Sequence, residues 1–272
     1  MKVGLALGGG GARGFAHIGV MRALEERGIQ PVAVAGCSMG GIVGAFIAAG
    51  IASSEIRDAF ADLKAIDLFD WSRKGGLIGG RGLEKQISLH LPERIDQLQV
   101  PFRSTAVDIQ SGRPFVFFEG ELVPALRATS AVPGIFSPVE HNGRVFVDGG
   151  LLVNVPIEEV RSMTTRPVLA VDVTPPPDRK LIFEDNRSFL EKLKAPFHSG
   201  KRPLFFELLT KAYEIPAAIL NDVRVAGLRP EIFIKPRLDP DLKPEDFDRM
   251  DDAIEVGYGA AVEVLDATTL EE

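Results

Sequence analysis

Ser38 stands in Gly36-Cys37-Ser38-Met39-Gly40, a G-x-S-x-G pentapeptide that follows the apolar run Pro31-Val32-Ala33-Val34-Ala35 and opens the small, apolar stretch Gly41 to Ala49. A serine on a sharp strand-to-helix turn adopts strained dihedrals that expose its Oγ. Flanking glycines, here Gly36 and Gly40, let the neighbouring backbone pass without a Cβ clash. The helix that follows brings its positive end near the oxygen, which favours a developing oxyanion. The chemistry served is nucleophilic acyl transfer. A tight turn with an inert serine has the same local pattern, so the surroundings must decide.

Gly8-Gly9-Gly10-Gly11-Ala12-Arg13-Gly14 is the second candidate. Gly9, Gly11 and Gly14 satisfy G-x-G-x-x-G, but a dinucleotide site needs an acidic residue at the end of the second strand. Between Glu26 and Glu55 there is no Asp or Glu, so that reading fails. A P-loop fails too, because no Gly-Lys-Ser/Thr follows. Two readings remain. Consecutive glycines present unobstructed backbone N–H groups, as an oxyanion hole requires, with Gly10 and Gly11 as donors beside the N–H of Met39. Arg13 would fix the loop or supply positive charge. The other reading is a structural loop.

A catalytic serine needs a proton acceptor. The four histidines are His17, His90, His141 and His198, and only His198 follows Asp148, as the α/β-hydrolase order demands. That architecture also places several strands before its elbow, whereas only two fit before Ser38. A carboxylate can serve instead if it is held in reach and partly desolvated. Val145-Phe146-Val147-Asp148-Gly149-Gly150 offers one, an aspartate closing an apolar strand with two glycines beside it. Asp-Gly is also a common turn pair, so the local pattern admits either role.

The elements that must position these groups alternate. Val3–Leu7 reads as a buried strand, Gly14–Arg27 as a helix with apolar residues at helical spacing, and Pro31–Ala35 as a second buried strand. Such alternation implies an α/β fold with a mostly parallel sheet covered on both faces. Residues 52–99 look mainly helical, broken by the glycine-rich stretch 74–81. Further strands are expected at 102–109, 114–118, 168–173 and 231–234, a hairpin at Asn142-Gly143, and a closing helix at 247–265. One domain, 1–272, is expected.

Bulk properties narrow the partners. With 272 residues, 45% of them hydrophobic, the chain can bury a sizeable core. A formal net charge of -7 argues against a general nucleic-acid binder. A lone cysteine, Cys37, excludes an intrachain disulfide framework and fits a reducing compartment. No targeting segment is visible, and the longest apolar run is shorter than the about 20 residues a bilayer span takes. A cytoplasmic protein is expected, with peripheral membrane contact open to it. No clustered His/Cys/Asp set has metal-ligand spacing, so nothing in the sequence calls for a metal or other cofactor.

Taken together, these residues resemble the patatin-like phospholipase family, specifically its short bacterial members. Gly9-Gly10-Gly11-Ala12-Arg13-Gly14 is similar to the family's glycine-rich oxyanion motif, Gly36 to Gly40 to its elbow, and Asp148-Gly149-Gly150 to its D-G-G/A motif. Ala128 to Phe136 and Asn154-Val155-Pro156 look like further family blocks. The likeness covers the first 175 residues, in order and spacing; beyond that it is loose. What it implies is a three-layer α/β/α, patatin-like fold and a calcium-independent lipid acyl hydrolase with a Ser38–Asp148 dyad. Gly9, Gly10, Gly11 and Met39 would line the oxyanion hole, with Arg13, Gly36, Gly40, Gly149 and Gly150 in support.

Lys180 to Arg202 is basic and carries Phe189, Leu190, Leu193 and Phe197 at helical spacing, with Leu204-Phe205-Phe206 beyond. Such a segment can form a lid or rest on a lipid surface, and a helix packed on the core gives the same pattern. Rival readings of the whole chain are a carboxylesterase or thioesterase on soluble acyl groups, an acyltransferase, and a non-catalytic lipid-binding regulator.

Overall fold

The computed structural model describes residues 1–61, 80–174 and 204–268. Its strands are β1 (Lys2–Leu7), β2 (Gln30–Gly36), β3 (Phe102–Asp108), β4 (Arg113–Phe117), β5 (Val139–His141), β6 (Arg144–Asp148), β7 (Val168–Val171) and β8 (Ile232–Ile234). Five of them run parallel in the order β3-β2-β1-β7-β8. Their apolar runs are continuous rather than alternating because helices cover both faces. β7, Val-Leu-Ala-Val, is buried at every position.

On one face lie α1 (Ala16–Glu26), α2 (Met39–Ala48), α3 (Ser53–Ala61), α4 (Arg81–His90), α5 (Leu122–Thr129) and, from the chain's end, α8 (Met250–Ala267). Phe15, Phe46, Ile42, Leu126 and Ile254 belong to the core they share. The other face is covered by α6 (Ile157–Arg161) and the long α7 (Leu204–Leu228), over a smaller cluster of Ala6, Ala35, Val155, Ile157 and Val160. Three layers result, as expected, with a mostly parallel sheet at the centre. The helix that closes the chain meets α1 backbone to backbone: a Cβ on Gly19 would lie 1.9 Å from the Ile254 carbonyl oxygen.

β3 is the strand that matters most for the site. It pairs with β2 up to Gly36↔Ser104 and then with β6 from Ala106↔Asp148, while β4 holds its other edge throughout Ser104–Asp108. A strand has two edges, so β2 and β6 follow one another along the same one. The end of β2 and the end of β6 therefore meet about 7 Å apart, two residues of strand rise. On the other side of β2, Leu7 pairs with Gly36, so the segments leaving β1 and β2 start at one level. Glycine loop, elbow and aspartate converge there, at the carboxyl edge where open α/β sheets place their ligands.

Asn142 (φ 49°) and Gly143 (φ 74°) form the expected hairpin turn, both in the left-handed region that a type I′ turn requires. Three helices went unanticipated: α5, the short α6 and α7. In α7, Pro216 would argue against a helix; here the ring is exposed and the carbonyl it deprives, that of Ala212, belongs to an exposed residue. The expected amphipathic segment Lys180–Arg202 lies outside the described residues, as does most of the loop 74–81. Among the described residues no helix is long and apolar enough to cross a membrane.

Candidate active site

Ser38 has φ 53° and ψ −127°, a conformation L-residues rarely hold. Three bonds impose it. The Cys37 amide donates to Leu7 O at 3.0 Å, and the Ser38 amide to Thr129 Oγ1 at 2.9 Å. Thr129, at the end of α5, in turn donates to Thr105 O at 2.5 Å, which aims its lone pair at the elbow. The flanking glycines are needed for space. A Cβ on Gly36 would lie 2.2 Å from Gly40 O, and one on Gly40 would lie 2.3 Å from Leu7 O. Met39 opens α2, where helix geometry leaves the first amides without intrahelical partners.

The glycine loop faces this turn. Gly10 precedes a 3-10 turn at Gly11–Phe15, and among the described residues the amides of Gly10, Gly11 and Met39 make no hydrogen bond. They are available to an oxyanion. The Gly9 amide, expected beside them, is not: it donates to Asn154 Oδ1 at 2.9 Å, and its single hydrogen is thereby spent. Gly9 instead anchors the loop, with Asn154 Nδ2 also bonded to Thr174 Oγ1 at 2.7 Å. His17 Nε2 contacts Gly8 O at 2.7 Å from α1, and burial holds its imidazole at a pKa of about 4, so it is a neutral donor. Arg13 is almost wholly buried and borders the cavity beside the loop.

Asp148 ends β6 and is 1% exposed. Its own amide donates to Ala131 O at 3.0 Å, which ties it to the segment after α5. Three donors converge on Oδ1: Gly150 N at 2.7 Å, Tyr213 Oη at 3.1 Å and Cys37 Sγ at 3.6 Å. Oδ2 has no partner at hydrogen-bonding geometry, and the Ser38 hydroxyl is close enough to be the foremost group favouring the ionised form. Burial nonetheless dominates and raises the carboxyl above its ordinary value. A raised carboxylate pKa is what a general base needs. Gly149 packs on Thr105, where a Cβ would lie 2.3 Å from its carbonyl oxygen, and Gly150 lies against Tyr213.

Ser38, Met39, Gly9, Gly10, Gly11, Arg13, Asp148 and Gly150 all border one cavity of about 150 Å³. Ile42, Leu83, Val132, Ile135, Phe136 and Phe247 make its wall largely apolar. Among the histidines, His17 serves the loop, His90 and His141 stand beside aromatic rings away from the cavity wall, and His198 lies outside the described residues. Sequence reasoning gave no role to Thr129 or Asn154, although both sit in blocks it singled out. It missed Tyr213 and Phe247 altogether, since neither belongs to a motif.

The patatin-like phospholipase family profile matches residues 5–161. An uncharacterized NTE family protein of Mycobacterium tuberculosis is 37% identical over 176 residues, 63% of this chain and 49% of that protein. Lysophospholipase NTE1 of Cryptococcus neoformans is 33% identical over 183 residues, 63% of this chain and 11% of its own length. The matched stretch thus spans about half of the mycobacterial relative and about a tenth of the fungal one. VipD from Legionella pneumophila has a similar fold, with a TM-score of 0.57 at 14% identity over 97% of this chain and 67% of that one. The profile covers more than half of the residues, including every strand and turn that carries Ser38 and Asp148, and the chain belongs to the patatin-like phospholipase family.

Proposed function

We propose that the protein is a serine acyl hydrolase that cleaves carboxylic esters of lipids through a Ser38–Asp148 dyad. The observation that carries this is the pairing of a strained, cavity-facing serine with a buried aspartate whose second oxygen is unoccupied. Asp148 Oδ2 accepts the Ser38 proton as Oγ attacks the ester carbonyl carbon. The carbonyl electron pair moves to oxygen, where the amides of Gly10, Gly11 and Met39 donate to it. Collapse expels the alcohol, which takes the proton from Asp148 and leaves an acyl-serine. Asp148 then deprotonates a water that attacks the acyl carbon; collapse expels Ser38 Oγ, which takes that proton back from Asp148, and the acyl group leaves as the free carboxylic acid.

The apolar cavity wall supports an acyl chain as the group bound next to Ser38. A lipid ester also fits the relative named lysophospholipase. Contact with a lipid surface fits the exposed Ile215, Ile219 and Val223, which form one stripe on the helix that carries Tyr213.

Hydrolysis of p-nitrophenyl esters of graded chain length by wild type, Ser38→Ala, Asp148→Asn and His198→Ala tests the reading. Both dyad variants should lose at least about 1000-fold in kcat, because such residues act as a unit. His198→Ala should retain activity, and longer acyl chains should be preferred. An active Asp148→Asn enzyme would end the dyad mechanism.

A further inference from the structure

We infer that Tyr213, on α7, is a positioning residue for the Asp148 base: its hydroxyl pins Oδ1 so that Oδ2 is presented to Ser38. This rests on the dyad reading above. The hydroxyl donates to Oδ1 at 3.1 Å while Tyr213 also lines the cavity. The three donors on Oδ1 come from three elements: Gly150 from the turn after β6, Cys37 from the elbow and Tyr213 from α7. A carboxylate rotates easily about Cβ–Cγ. The Gly150 amide alone fixes one oxygen in the plane of its own turn, and the Cys37 thiol is a weak, distant donor. Tyr213 adds a strong donor from outside the loop.

The packing around that hydroxyl is close. A Cβ on Gly150 would lie 2.7 Å from Tyr213 Oη, so the absence of a side chain at 150 is what lets the phenol reach the carboxylate. Burial and the neighbouring Asp148 raise the phenol's pKa well above its usual value, so it remains a donor at neutral pH. The ionisable groups facing the site are few. Cys37, also raised by burial, stays a thiol; Glu214 acts on Tyr213; Arg13 and Glu245 border the same cavity.

The sign of the effect follows. Asp148 works as a base when ionised, and Tyr213 stabilises the ionised form. Removing the hydroxyl raises the carboxyl pKa, and the acidic limb of kcat/KM moves to higher pH. The test is the pH profile of ester hydrolysis for wild type, Tyr213→Phe, Gly150→Ala and Ala226→Ser, each checked by circular dichroism. Tyr213→Phe keeps the ring and should shift the limb upward by about one pH unit, with a plateau kcat about 3- to 10-fold lower and KM little changed. Gly150→Ala, which drives the hydroxyl away, should shift it in the same direction. Ala226→Ser, exposed on the same helix and away from the cavity wall, should leave it in place.

A Tyr213→Phe enzyme whose limb stays put, whether its rate is unchanged or uniformly lower, overturns the assignment and leaves Tyr213 a packing residue. Should Tyr213→Phe fail to fold, an unmoved limb in Gly150→Ala overturns it equally. Retained turnover in Ser38→Ala is a different failure, that of the dyad itself.

Discussion

Every group proposed to react comes from the stretch that ends at Arg161: Ser38, the amides of Gly10, Gly11 and Met39, and Asp148. Tyr213, Ala217, Pro244 and Phe247 reach the same cavity from the stretch after Leu204. The two stretches contribute in different ways. The first works mainly through backbone: a strained turn, exposed amides and close strand ends. The second works through side chains that close a wall and touch Asp148 from outside. Backbone sites demand particular glycines and particular spacings, so they leave motifs. A wall demands only apolar bulk in roughly the right place, so it leaves none.

The comparison is sharpened first at His17, which holds the glycine loop by a side chain rather than by backbone. Its folded-state pKa is lowered from 6.5 to about 4 by burial. Unfolded chains take up a proton at His17 as pH falls through 6.5 and the folded protein does not, so stability is lost from there down to about 4 and levels off below. The loss should total about 3 kcal/mol between about pH 7 and pH 4. Asp148 has the opposite sign, since its raised pKa keeps a proton in the folded state that the unfolded chain has released. Urea unfolding of wild type against His17→Gln isolates the histidine, because glutamine keeps a donor without titrating. Parallel pH dependences of the two would show that His17 does not titrate as described.

Asn154→Ala is the next largest effect. It strips the Gly9 amide of its acceptor and loosens the loop from which the Gly10 and Gly11 amides point. We expect kcat to fall about 10- to 100-fold with KM nearly constant, since a hole out of place affects the transition state more than the ground state. A rise in KM alone would place Asn154 in substrate binding and not in the loop's support.

How legible was all this beforehand? The elbow, the glycine loop and Asp148 were visible only together: each pattern alone also fits an inert turn or loop, and what singled them out was their order and spacing, a serine between glycines after a β-branched strand, four successive glycines, an aspartate before two more. The three-layer fold was visible from the alternation of apolar strands with periodic helices. That β2 and β6 share one edge of β3 was not, because register is a property of pairing and not of any one strand. The loss of Gly9 as an oxyanion donor depends on Asn154, 145 residues away. Helix α7 was hidden by Pro216, which local propensity counts heavily and an exposed helix face tolerates.

The smallest predicted effect is also the one that can break the comparison. Phe247 lies in a 3-10 turn before α8, half-buried, with its ring edge-on to Phe15 at 5.4 Å. It borders the cavity on the side of the second stretch and contacts no reacting group through a hydrogen bond. If that stretch supplies wall alone, Phe247→Ala removes apolar contact with the far part of an acyl chain and leaves the reacting carbonyl undisturbed. KM for long-chain p-nitrophenyl esters should then rise about 3- to 10-fold, within the range that small changes in apolar contact produce. Hydrolysis of the shortest esters should stay within about twofold of wild type, because those chains end before the wall they would miss. The lost aromatic pairing should lower the melting temperature by only a few degrees, since such pairs contribute about 1 kcal/mol. A comparable fall in kcat on short and long esters would mean that the wall also fixes the elbow, through Phe15 and the 3-10 turn after Gly10. In that case the division between a reacting first stretch and an enclosing second one does not hold.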